Sequence, residues 1–230
     1  MSDSNDKSGS TGNSDRQAII DAFMALLAER RIEDIDFSDI STRSGVSLSR
    51  CRAEFNTTLS VLAAYLRDVD RKVLDGGDPD LAQEPPRERL FDVLMRRLEA
   101  LNPHKAAVRS LARSARCNPP LALALNGLSL RSQQWMLTAS GISVAGLRGM
   151  IRTQGLACLY AQVMRRWLDD DDPGLARTMA ALDRELARGA SWSRLLDDLC
   201  SFAPGRCCRS DRWRSRRRDD IDPVEQPAVV

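Results

Sequence analysis

The sequence predicts an all-α protein: an N-terminal three-helix module of helix-turn-helix type, followed by a larger C-terminal helical bundle. Three observations predict it. Apolar residues recur at helical spacing along most of the chain. No alternating run of β-branched residues reads as a strand. Glycine and proline clusters punctuate the periodic segments, at Gly76-Gly77, Pro85-Pro86 and Asp172-Pro173.

The elements follow in order. Residues 1–15 are rich in Ser, Asp, Asn and Gly and are expected to form a disordered tail. From Arg16 to about Arg31, Ile19, Ala22, Phe23 and Leu26 mark a helix, with Asp15 as its expected N-cap. Phe37 to Phe55 reads as two short helices around a turn at Gly45, which supplies a left-handed helix end. Ser47 is expected to cap the second of them by accepting from freed N–H groups. A long helix from Thr58 to Leu74 carries Leu62, Leu66, Val69 and Val73. The first domain therefore spans 16–75. The second, 76–202, holds helices at Arg87–Leu101, Pro103–Arg116, Pro120–Ala139, Val144–Leu168 and Pro173–Arg188, with a separate short piece at Trp192–Phe202. Asp172-Pro173 reads as an N-cap and first-turn proline. Residues 203–230 form an Arg-rich and then acidic tail with too few apolar residues to fold alone.

Composition excludes several function classes. The 230 residues include one histidine, His104, which removes multi-histidine metal sites and most histidine-based catalysis. Six cysteines are scattered without C-x-x-C spacing, so free thiols are expected and structural zinc is not. There is no phosphate-binding glycine loop and no G-x-S-x-G elbow. No catalytic residue, metal ligand or cofactor is assigned, and the acidic run Asp169–Asp172 fits a helix junction. No segment approaches a transmembrane span, and the polar first fifteen residues lack a signal-peptide core, so a cytoplasmic location is expected. Net charge is +2 over the chain, yet 16–75 carries nine basic residues against ten acidic ones. Arg206 to Arg218 carries seven arginines and one aspartate. That stretch is either a solvated tail or a source of non-specific phosphate attraction.

The segment Phe37–Phe55 resembles the helix-turn-helix of the TetR family of bacterial transcription regulators. Asp39-Ile40-Ser41, Ser44-Gly45-Val46-Ser47 and Phe55 carry the resemblance, together with the spacing of the helices on either side. It covers about residues 16–75. It implies a double-stranded DNA partner, a homodimer, and a C-terminal domain for ligand binding and dimerisation. The implied DNA-contacting residues are Thr42, Arg43, Ser47, Ser49, Arg50 and Arg52, with Arg50 at a base edge and Thr42 and Ser47 at phosphates. Two positions depart from the family pattern: Arg52 stands where an aromatic residue is usual, and Thr58 where a lysine is usual.

Trp135 and Met136 lie in a helix rich in small and apolar residues. They either pack the core or line a pliable cavity for a small apolar effector. Leu156, Tyr160, Val163 and Trp167 on one helix, with Met179 and Leu182 on the next, are the expected dimer interface, a four-helix contact across a two-fold axis. Gly155-Leu156, Tyr160, Arg166-Trp167-Leu168-Asp169-Asp170, Leu175, Thr178 and Leu182-Asp183-Arg184 also resemble the lipid-binding accessory protein of ubiquinone biosynthesis. That second resemblance implies a lipid or isoprenoid-quinone partner without a DNA role.

Overall fold

The computed structural model describes residues 6–77, 81 and 83–201, with side-chain detail within 12–189. The expected C-terminal tail, 203–230, and the apolar side chains of the Trp192–Phe202 segment lie outside that description.

All regular structure among the described residues is helical. The first helix, α1, runs from Asp6 to Glu29. It starts upstream of the expected Arg16, so Asp15 lies inside it and caps nothing. Its inward face is Ile19, Ile20, Phe23, Met24, Leu26 and Leu27, all essentially inaccessible to solvent. A 3-10 turn at Ile32–Asp34 leads into α2, Phe37–Ser44.

Helix α2 begins with a capping box. The Asp36 carboxylate accepts from the Asp39 N–H at 2.9 Å, and Asp39 accepts from the Asp36 N–H at 3.2 Å. It ends at Gly45, whose φ of 71° is left-handed and favours glycine. Helix α3, Leu48–Glu54, follows Ser47. The expected Ser47 cap does not form. The Ser47 hydroxyl pairs with the Ser49 hydroxyl at 3.1 Å, and no side-chain cap is made.

Helix α4, Thr58–Asp75, opens with a second capping box between Thr57 and Ser60. It buries Val61, Leu62, Ala64, Tyr65, Val69, Asp70 and Val73. Leu66, expected in the core stripe, is only partly buried. The α4 helix packs on α1 and also on α5, Pro86–Leu101, and α7, Pro119–Ala139. Between these, a 3-10 turn at Asn102–His104 precedes α6, Lys105–Cys117, which packs along α1. The Ser110 hydroxyl donates to the Arg30 carbonyl at 2.9 Å, and the Asn118 amide to Glu33 at 3.1 Å. Apolar side chains from α1 through the later helices form one continuous core.

Helix α8, Gly146–Leu168, lies against α7, and α9 spans Ala176–Ser201. Two expectations fail here. The break between Arg188 and Trp192 is absent, because α9 is continuous. Asp172-Pro173 does not start a helix, since the chain first turns at Leu175, with φ of 51°. Asp172 still accepts from the Ala176 N–H at 3.3 Å, and Asp170 adds to the cap. Its carboxylate accepts from the Thr178 N–H at 2.9 Å and the Thr178 hydroxyl at 2.7 Å. The Thr178 hydroxyl is the main reason that carboxyl sits below its ordinary pKa. No helix among the described residues is long and apolar enough to cross a membrane.

Candidate functional site

The helix-turn-helix is α2, the Gly45 turn and α3. Its inner side is fixed by Ile40 and Cys51, both fully buried, and by Val46 and Phe55. The Ser41 hydroxyl donates to the Val46 carbonyl at 2.7 Å and tightens the turn. With Cys51 pointing inward, Ser49, Arg50 and Arg52 stand exposed on the remaining faces of α3. Burial pushes the Cys51 thiol up, consistent with a packing group and not a reactive one. Thr42 and Ser47 are also exposed, and the Thr42 hydroxyl donates to the Ser38 carbonyl at 2.9 Å.

Arg30, Arg43 and Arg50 are engaged by nearby acids. Arg43 grips Glu29 in a bidentate pair, with N–O distances of 2.7 and 2.9 Å from one nitrogen and 3.0 Å from the other. The hydrogen bonds from Arg43 hold the Glu29 carboxyl below the usual carboxylate range. Arg50 meets Asp15 of α1 at 2.8 Å, and Arg30 meets Asp39 at 3.3 Å. Arg52 pairs with Asn56, and the Arg16 guanidinium lies 5.3 Å from the Phe55 ring centre. The charge balance read from the sequence therefore reappears as ion pairs on the surface. The Asp15 contact depends on α1 extending beyond Arg16, which the Ser- and Gly-rich N-terminal composition concealed.

In the body, Trp135 and Met136 part company. Met136 is fully buried in the core, so it does not line a cavity. Trp135 is 58% exposed and lines a cavity of about 460 Å³ between α4 and α7. Its apolar lining includes Leu66, Leu74 and Leu128, and Arg67, Arg71 and Arg131 add cationic groups. On its wall, Asp70 and Ser132 belong to a buried clamp. Arg97 of α5 donates to Asp70 at 2.9 Å, and the Ser132 hydroxyl donates to the same carboxylate at 2.5 Å. The Arg97 guanidinium stands 5.1 Å from the Tyr160 ring centre. Burial opposes the Arg97 charge, but Tyr160 and Asp70 outweigh it and keep the group protonated. Burial pushes nearby Tyr65 up to about 12. Charged residues at core positions of two apolar stripes, Asp70 beside Val69 and Arg97 beside Leu98, were the signal in the sequence for this clamp.

The expected dimer residues also divide. Leu156, Tyr160, Val163, Trp167 and Leu182 are buried within the chain itself. They face its own core and are not available to a second copy. Only Met179, 40% exposed, is on the surface. The outward face of α8 is a different stripe, where Leu147, Met150 and Ile151 are exposed. A helix apolar on most of its sides offers two stripes, and the sequence does not show which one faces inward.

No protein-family model and no curated protein sequence matches the chain. Solved structures do match its fold. A TetR transcriptional regulator from Nitrosomonas europaea superposes with a TM-score of 0.60 at 22% identity, covering 76% of this chain and 97% of that one. One from Rhodococcus sp. RHA1 gives 0.53 at 16% identity, covering 77% and 96%. A TetR-family regulator from Streptomyces coelicolor gives 0.55 at 18% identity, covering 82% and 86%. With its helix-turn-helix, its long α4 and its all-helical body, the chain has the fold of the TetR transcriptional regulators.

Proposed function

We propose that this protein is a cytoplasmic, non-catalytic transcriptional regulator that binds double-stranded DNA as a homodimer. One observation carries the reading. Cys51 anchors α3 from within and leaves Ser49, Arg50 and Arg52 exposed on a short helix at the edge of the fold. A helix so held can enter a major groove, with two copies reading the halves of a pseudo-palindromic operator. Arg50 is assigned to a base edge, and Ser47 and Thr42 to phosphates, with Arg43, Ser49 and Arg52 completing the contact. DNA must displace Asp15 from Arg50 and Glu29 from Arg43, an exchange of one anion for another. The exposed Leu147, Met150 and Ile151 at the start of α8 supply an apolar surface for the second copy, and Met179 is a separate exposed apolar side chain at the start of α9. A small effector in the cavity beside Trp135 would shift α4 and change the separation of the two readers.

The test is an electrophoretic shift with the protein's own upstream DNA at low salt. A retarded species that weakens as salt rises supports the reading. A folded dimer that shifts nothing sinks it.

A second reading, a lipid or isoprenoid-quinone-binding accessory protein without DNA, is favoured by the same pairing of Arg43 and Arg50 with acids. Native mass spectrometry separates the two. Co-purifying lipid together with no DNA shift would select the accessory role.

A further inference from the structure

We propose that the cavity between α4 and α7 binds an amphipathic organic anion, with an oxyanion head, carboxylate or phosphate, and a compact apolar body. This names the effector class for the cavity described above. The control of DNA by that anion rests on the regulator reading, whereas the binding itself does not.

The charges around the cavity select the head. Asp70 is already satisfied by Arg97 at 2.9 Å and by Ser132, so it offers no carboxylate to a cationic ligand. Arg71 is paired with Asp68 at 3.1 Å. Arg67 of α4 and Arg131 of α7 both line the cavity, and neither has an ion-pair partner among the described residues. Asp75 is the remaining acid on the lining, so the cationic groups are in excess. Two guanidinium groups lining one cavity suit an oxyanion, planar or tetrahedral, since a guanidinium fork gives such a group paired hydrogen bonds. A wholly apolar ligand would desolvate these groups without giving them a partner, which disfavours it.

The remaining lining selects the body. Leu66, Leu74, Leu128 and Trp135 form an apolar wall, and Trp135 adds a broad, partly exposed ring. A cavity of about 460 Å³ is in the range used by small-molecule sites. An anion held by both Arg67 and Arg131 ties α4 to α7. Because α4 begins at Thr58, directly after the α3 reader and its short link, that tie reaches the DNA-binding module.

The experiment is calorimetric titration of the full chain with octanoate, monooctyl phosphate and octan-1-ol. At least one anion should bind about tenfold tighter than the alcohol, and the better anion identifies the head. The double variant Arg67→Ala, Arg131→Ala should bring that anion down to the affinity of the alcohol. Both side chains are exposed, so the variant should keep its circular dichroism melt. Arg131→Lys in the otherwise native chain should retain part of the preference. Three results would overturn the proposal: alcohol and anions binding alike, anion binding that survives the double variant, or no binding of any of the three at millimolar concentration. The electrophoretic shift of unliganded protein is read separately. Anion binding without a DNA shift sinks the regulator and spares the cavity. A DNA shift without anion preference does the reverse.

Discussion

In the proposed DNA complex Arg50 and Arg43 must first give up Asp15 and Glu29, and that exchange is measurable. Arg50 stands 2.8 Å from Asp15, so Asp15→Asn should strengthen binding to any duplex by removing a competing anion. Arg50→Ala should cost about 1–3 kcal/mol of discrimination between operator and random DNA, read by competition binding. If operator and random DNA were still separated as well as before, Arg50 would not be the base reader. Glu29→Gln should release Arg43 and steepen the dependence of affinity on salt by about one phosphate equivalent. The sign of the pH response follows from Glu29. Its pKa is lowered, so its pairing with Arg43 is complete at neutral pH and is lost only as pH falls through that lowered value. Mild acidification to about pH 6 should therefore leave Arg43 engaged and the salt dependence unchanged. The arginines were legible in the sequence as residues, and their acid partners were not. Glu29 and Asp15 lie far from Arg43 and Arg50 along the chain, and only the packing of α1 against α2 and α3 brings them together.

At the scale of elements, caps and turns decide where helices begin and end. Gly45 has φ of 71°, and an added Cβ would meet nothing within 4 Å. Gly45→Ala should thus cost about 1 kcal/mol through backbone strain alone, seen as a lower denaturant midpoint with unchanged slope. Asp170 caps α9 through Thr178, and its pKa is lowered. Its contribution is present above the ordinary carboxylate range and lost as pH falls through the lowered value. Asp170→Ala should lower Tm at pH 7, with the gap to the native chain closing under strong acid. Apolar periodicity located most helices to within a few residues, because tertiary packing and local pattern agree there. It failed where two solutions fit equally. On α8 the buried Leu156, Tyr160, Val163 and Trp167 follow one another at intervals of four, three and four, and the exposed Met150 and Ile151 lie three and four residues after Leu147; both sets fit a helix face, and only burial separates them. The cap at Ser47 was misread because a serine hydroxyl can bond to a neighbouring hydroxyl instead of to the helix.

Across the whole molecule, α4 joins the helix-turn-helix to the body, and the Asp70–Arg97–Ser132 clamp fixes it to α5 and α7. Removing one member leaves a buried charge without its partner. Arg97→Met should therefore destabilise the protein by about 3–5 kcal/mol, and Asp70→Asn in the same chain should recover part of the loss. A double-mutant cycle in urea that shows no coupling would contradict the clamp. The same clamp makes the reader and the body share one core, so a ligand that ties α4 to α7 acts on the whole. The central claim is that α3 reads DNA from this scaffold. The most direct test is the retardation of the protein's own upstream DNA at low salt, with Arg50→Ala alongside. The account predicts a retarded complex that weakens as salt rises and loses its preference for that DNA when Arg50 is removed. A folded dimer that retards no DNA at low salt would contradict it.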